Sequence, residues 1–252
     1  MEVPQVSKGQ LRFLQSLKLK KYRQKYGSFL VEGRKAVSEI LTDNVLTVKS
    51  LYAIAEWIVE QSHLLETKNI PLYQVDPRGL KQISSQKTPD QVVIECQIPE
   101  PPLPSLESGW LLFLDGLNDP GNLGTIIRSA DWFGVSHIVM TPGTVDCYNP
   151  KCIQSSMGSI GRIPLHYLSI QTLKEFLPRH PILLADASGT PVADIDVPDG
   201  GILVIGSESH GISNDIYQFE HLAVSLPKAA GSRAESLNAA MAATALLAIL
   251  CA

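Results

Sequence analysis

The chain has 252 residues, 44% of them apolar and 18% charged, and a formal charge of −4. That is room for one large or two ordinary domains and excludes a uniformly basic nucleic-acid binder. The longest apolar run, Ala239–Ala252 broken by Thr244, is too short and too rich in Ala to span a bilayer.

The charge is unevenly spread. Residues 1–40 hold nine Lys or Arg against three Glu, a net +6, and leave −10 for the remainder. Such asymmetry fits either a polyanionic partner at the N-terminal end or a solvated basic helix face. Residues 7–25 are predicted as one helix, with Leu11, Leu14, Leu17 and Leu19 on its apolar side and Lys18, Lys20, Lys21, Arg23 and Lys25 crowding its later turns. A short strand, Gly27–Gly33, follows, and then a helix from Arg34 to Leu41. Strands are predicted at 48–53, 72–75 and 92–96, and helices at 56–65 and from Pro77 to Ile83. Short helices alternating with strands imply a small α/β domain over 1–97. Residues 98–109 contain four Pro and read as an extended linker.

The second half, 110–252, repeats a βα pattern. Its apolar runs at 110–114, 137–140, 182–185, 202–205 and 222–226 are short, unalternating and rich in Val, Ile and Leu, as in a parallel sheet buried on both faces. Helices are expected after Gly124, at about 151–159, 172–177 and 214–217, and from about Ala234 to the end.

Three loops stand at ends of these strands. The first, Gly116-Leu-Asn-Asp-Pro-Gly-Asn-Leu-Gly124, leads into a helix whose N-cap is expected at Asn122, with Arg128 off the apolar stripe one turn beyond Gly124. It is either a ligand loop of the kind open α/β sheets carry at strand carboxyl ends or a plain connection with a capping Asn and a solvated Arg. The second, Gly206-Ser-Glu-Ser-His-Gly-Ile-Ser213, brackets Glu208 between two Gly. The third runs from Leu226 to Asn238 and enters an Ala-rich helix. No dinucleotide fingerprint, phosphate loop or nucleophile elbow is present. Cys96, Cys147, Cys152 and Cys251 and the six scattered His have no zinc spacing, so no metal is expected. With no signal peptide, the thiols read as reduced and the protein as cytoplasmic.

In order and spacing the three loops resemble the SpoU (TrmH) family of RNA ribose 2′-O-methyltransferases, of the SPOUT class. The first family motif is matched at Asn118–Ala130, with Asn122, Gly124 and Arg128. The second is matched at Gly206–Ser213, with Glu208 and Gly211, and the third at Leu226-Pro227, Gly231 and Glu235-Ser236-Leu237-Asn238. Asn149-Pro150-Lys151 and Ser156-Met157-Gly158 are similar to the family's middle segment. Phe29-Leu-Val-Glu-Gly33 is similar to the substrate-binding domain often joined to it. The chain departs from the pattern at Lys228, where Met is usual, and at Gln154, where many members have Arg.

The resemblance implies an α/β fold with a C-terminal trefoil-knot domain on a mostly parallel sheet and a smaller, L30e-like N-terminal α/β domain. It implies transfer of a methyl group from S-adenosylmethionine to a ribose 2′-hydroxyl of rRNA or tRNA by a homodimer. The reaction centre would hold Asn122, Arg128, Glu208, Ser236 and Asn238. The cofactor would lie against Ile205, Gly206, Gly211, Leu226 and Leu237. Lys18, Lys20, Lys21, Arg23, Lys25 and Arg34 would face RNA. Arg128 is either the base or a phosphate clamp that lowers the hydroxyl's pKa. The alternatives are a non-catalytic dimeric RNA-binding scaffold and methylation of an RNA base.

Overall fold

The computed structural model describes residues 3–252. In chain order the elements are α1 (Lys8–Ser16), α2 (Lys20–Tyr26), β1 (Ser28–Glu32), α3 (Arg34–Asp43), β2 (Val48–Ala53), α4 (Ala55–Glu60), α5 (Ser62–Glu66), β3 (Leu72–Gln74), α6 (Pro77–Ile83) and β4 (Val92–Gln97). Then come β5 (Gly109–Asp115), α7 (Pro120–Trp132), β6 (Ile138–Met140), α8 (Pro150–Ser156), β7 (Leu165–Tyr167), α9 (Ile170–Phe176), β8 (Ile182–Pro191), β9 (Gly200–Gly206), α10 (Asn214–Tyr217), β10 (Leu222–Ser225) and α11 (Ala239–Leu250). Among the described residues no helix is long and apolar enough to cross a membrane. The chain divides into two compact units. One takes in the chain up to Glu100 together with Tyr148–Gly161; the other is Pro101–Cys147 with Arg162–Ala252.

The first unit is built on a four-stranded sheet ordered β1-β4-β2-β3, with β4 antiparallel to both β1 and β2, and β2 parallel to β3. Leu14 of α1 and Leu80 and Ile83 of α6 pack with Tyr52 and Val93 of the sheet. The predicted helix over 7–25 is two helices. α1 ends at Ser16, whose hydroxyl bonds back to the Phe13 carbonyl at 2.6 Å, and a turn through Leu17–Leu19 precedes α2. The break lets Leu17 bury while Leu19 stays outside. It also strands carbonyls, and the Arg23 guanidinium satisfies two of them, donating to Leu17 O and Lys18 O at 2.8 Å each. The helix expected at 56–65 is likewise split, at Gln61. Residues 148–161 join this unit by packing Tyr148 against Phe29, ring centroids 4.6 Å apart and planes tilted by 37°, and by laying Gly161 against Val45 and Leu46, where a Cβ would stand 2.7–2.8 Å from their side chains.

The second unit is built on a six-stranded sheet ordered β10-β8-β9-β5-β6-β7, parallel in every pairing. Leu111, Phe113, Val204 and Leu184 fill one buried face with α9 residues Ile170 and Leu173. Its three-residue edge strand β7, Leu-His-Tyr, carried no apolar run for the sequence reading to detect. α11 packs on α7, and the indole of Trp110 in β5 donates to Leu250 O at 3.0 Å, tying the last helix to the sheet. α11 starts at Ala239 rather than about Ala234, because Asn238 caps it and the chain from 226 to 238 is loop.

Candidate functional site

Strands β5 and β9 are hydrogen-bonded neighbours in register, Asp115 opposite Gly206, so the loops after them leave the sheet side by side. Asp115 is buried and its carboxylate accepts from Ser213 N at 2.7 Å, binding the end of the second loop to the start of the first. Carboxyl ends of parallel strands are where such sheets place ligands.

The helix after the first loop begins earlier than its apolar spacing suggests. Asp119, not Asn122, is the N-cap; its carboxylate accepts from Gly121 N and Asn122 N at 2.7 and 3.0 Å. Pro120 takes the first helical position, where a fixed φ and a missing N–H cost nothing. Asn122 is therefore released from capping, and its amide serves a chain of side chains instead. Its Nδ2 donates to Glu208 Oε1, and its Oδ1 accepts from Asn238 Nδ2 at 3.1 Å. The Asn238 Oδ1 accepts from Ala240 N and Met241 N, 3.0 and 3.3 Å, and so caps α11. One residue from each loop thus stands in a single hydrogen-bonded line, with each amide fixed by what it donates to and accepts from. Arg128 lies on α7 with an exposed side chain.

Beside this line is a cleft of about 490 Å³. Its floor is the middle of β8 and the ends of β9 and β10; its walls are the third loop and the first turns of α11. Ile205, Gly206, Gly211, Leu226 and Leu237 all line it, as do Glu208 and Ser236. Gly206 is needed by the protein itself: a Cβ there would sit 2.4 Å from the Gly211 carbonyl carbon. Ser207 and Gly211 close the second loop on each other, N to O at 3.0 and 2.9 Å, with Gly211 at φ +67°, in the left-handed region that glycine tolerates.

Two lining residues escaped the sequence reading, Asp186 and Tyr217. The Tyr217 hydroxyl donates to Asp186 Oδ2 at 2.8 Å, and Ser188 donates to Oδ1 through its hydroxyl and its N–H at 2.6 and 2.8 Å. The bonds from Ser188, then that from Tyr217, hold the Asp186 carboxyl below its ordinary range. Burial, followed by the neighbouring carboxylate, pushes the Tyr217 phenol up. Asp186 lies within β8, just past Leu184 where the pairing with β9 ends, and its position directly after the apolar run 182–185 was the available signal.

The six basic residues expected on RNA do not form one set. Lys20, Lys21 and Lys25 are exposed on α2. Arg23 is 3% exposed and spends its guanidinium on the α1–α2 break, so its expected RNA contact is replaced by a structural role. Lys18 donates to Gln82 O and Ser84 O at 3.0 and 2.6 Å, and burial lowers its ammonium from the ordinary range. Arg34 is paired with Glu60.

Comparison with known proteins bears on these loops directly. Residues 109–248 match the SpoU rRNA Methylase family, and residues 8–94 match an MRM3-like substrate binding domain. The chain is 31% identical over 234 residues to the 23S rRNA (guanosine(2553)-2′-O)-methyltransferase RlmP of Bacillus subtilis (strain 168), covering 92% of this chain and 91% of that one. It is 30% identical over 247 residues to a 23S rRNA (uridine(2479)-2′-O)-methyltransferase of Streptomyces viridochromogenes, covering 89% and 83%. Among solved structures it is similar to the SpoU methyltransferase AviRb from Streptomyces viridochromogenes in complex with AdoMet. There the TM-score is 0.85 at 28% identity, over 97% of each chain.

Proposed function

Because the chain belongs to the SpoU rRNA methylase family, we propose that it transfers a methyl group from S-adenosylmethionine to a ribose 2′-hydroxyl of ribosomal RNA. The observation that carries this reading is the Glu208–Asn122–Asn238 line beside the cleft, which joins the three family loops at one place.

The cleft suits the cofactor chemically. Its volume is that of a small-molecule site. Ile205, Leu226 and Leu237 offer apolar wall to an adenosine, and the Asp186 carboxylate, which its donors keep ionised, offers an acceptor for hydroxyl or ammonium groups. When bound, the cofactor supplies a methyl carbon made electrophilic by its sulfonium. The chain's own contribution is alignment, which can supply several kcal/mol of a barrier. Asn122 and Asn238 hold the rim of the site rigid, each amide held by its partners. Arg128 binds the phosphate beside the target ribose through its planar fork and makes the 2′-hydroxyl easier to deprotonate. Its fork carries five N–H donors and no acceptor, which suits it to clamp a phosphate and not to take the proton.

A homodimer, a trefoil knot and a cytoplasmic location belong to the same reading. Trp132 at the end of α7 is 84% exposed, and Met241 of the adjoining α11 is 62% exposed; apolar side chains so displayed favour a second copy of the chain as cover. The return of α11 onto α7 and β9, after the chain has run out to the edge strand β10, supports a knotted path.

The test is calorimetric titration of S-adenosylmethionine into the protein and into a Lys20, Lys21, Lys25→Glu variant. We expect cofactor binding in both and, in a parallel titration with rRNA, a weaker and less salt-dependent affinity in the variant than in the wild type. Absence of cofactor binding in the wild type contradicts an enzyme and favours a non-catalytic RNA-binding scaffold.

A further inference from the structure

On α2 the exposed cations are interleaved with aromatic rings. Tyr22 and Tyr26 are four residues apart and lie on one helix face. Their rings are within 11° of parallel, with centroids 6.2 Å apart. Phe13 of α1 meets Tyr26 edge-on, at 5.1 Å and 72°, and fixes its ring against α1. Lys21 Nζ stands 4.8 Å from the Tyr22 centroid and Lys25 Nζ 5.3 Å from that of Tyr26. Lys49 adds a further cation at the C-terminal end of α2, bonding Ser28 Oγ at 2.7 Å. From Val3 to Val31 the sequence has no Asp or Glu, so this charge is not offset locally. Tyr26 nonetheless remains 40% exposed.

Charge alone would serve duplex RNA, which offers phosphates and keeps its bases stacked away. A propped, half-exposed ring among exposed ammonium groups offers something more specific: a π-face for a base and cations for the phosphates on either side. We infer that the Tyr22–Tyr26 ladder of α2 is a stacking platform for an unpaired nucleobase in an RNA loop, with Lys20, Lys21 and Lys25 holding the flanking phosphates. The base stacks on Tyr26, and Lys25 swings from the ring to the backbone as it does so. Recognition by this surface then selects looped over fully paired RNA. The inference rests on RNA being the substrate, as proposed above.

The experiment uses the full chain and an RNA hairpin with 2-aminopurine in its loop, beside a blunt duplex of equal length. Wild-type protein should quench the 2-aminopurine on binding. Tyr26→Leu keeps apolar bulk against Phe13 but removes the π-face; it should weaken hairpin binding by about fivefold or more and abolish the quench, leaving duplex affinity unchanged. Tyr26→Phe should restore both. As a check that needs no variant, a loop 5-iodouridine in the wild-type complex should photo-crosslink to Tyr22 or Tyr26. An undiminished quench in Tyr26→Leu, an equal loss for duplex, or crosslinks confined to other segments would each overturn the inference. Methyl transfer measured on the same preparations separates the two levels. A chain that methylates RNA but ignores Tyr26 refutes only the platform, whereas one that neither binds cofactor nor methylates refutes the function.

Discussion

Asn122 shows what a side chain can do once its neighbours relieve it of a local duty. Asp119 and Pro120 begin the helix, so the Asn122 amide is free to bridge Glu208, 86 residues away, and Asn238, 116 residues away. The motifs point to all three residues, but the apolar stripe, which begins at Leu123, predicts Asn122 as the cap; the equally local Asp119-Pro120 pair starts the helix three residues earlier. If the bridge depends on the charge of Glu208, Glu208→Gln should slow methyl transfer with little change in Tm; full turnover in that variant would make the carboxylate a spectator. Arg23 teaches the opposite lesson, since a basic residue in a basic stretch turns out to be buried. Removing its guanidinium strands the Leu17 and Lys18 carbonyls. Arg23→Gln should therefore cost about 1–3 kcal/mol of stability in a denaturant melt while leaving the RNA affinity of the folded protein unchanged. Selective loss of RNA affinity at unchanged stability would restore it to the RNA-facing set.

At the scale of elements, the long strands and the helices with clear stripes were legible, and the exceptions have causes. Helix α6 follows its predicted span because Pro77 and the Asp76 cap mark its start. Leu11, Leu14 and Leu17 continue one stripe, so the spacing predicts a single helix over 7–25; the buried Arg23 that tethers the turn distinguishes two helices from one. Strand β7 is three residues long and half polar. Its His166 meets His137, which precedes β6, with ring centroids 5.4 Å apart; both are buried, and one ring nitrogen of each has no hydrogen-bond partner. Burial, reinforced by His137, lowers the His166 pKa to about 4 from an ordinary 6.5, and burial lowers that of His137 as well. The folded chain therefore holds His166 neutral where the unfolded chain would protonate it. Its contribution to stability is complete above about pH 6.5 and is lost as the pH falls toward 4, on the order of 1–2 kcal/mol by pH 5. Thermal melts from pH 7.5 to pH 5 should fall more steeply for the wild type than for His166→Phe; parallel curves would mean that the pair does not titrate on unfolding.

At the scale of the molecule, a break in secondary structure could be read from the Pro-rich stretch at 98–109, where no helix or strand forms between β4 and β5. The excursion of 148–161 into the first unit could not, since it depends on Tyr148 finding Phe29 and Gly161 fitting against Val45 and Leu46, contacts that no local pattern encodes. The parallel sheet was legible from unalternating apolar runs, and the cleft from the loops that end them. The claim that unites these levels is chemical: the three loops place a cofactor methyl against a ribose hydroxyl of RNA. It is tested most directly by supplying the protein with methyl-labelled S-adenosylmethionine and unmodified 23S rRNA, then digesting the product and locating the label. We expect the label on a ribose 2′-oxygen, in a linkage resistant to alkaline cleavage, and its formation slowed at least tenfold in Arg128→Lys. Label on a base, or transfer at the wild-type rate in that variant, would contradict it.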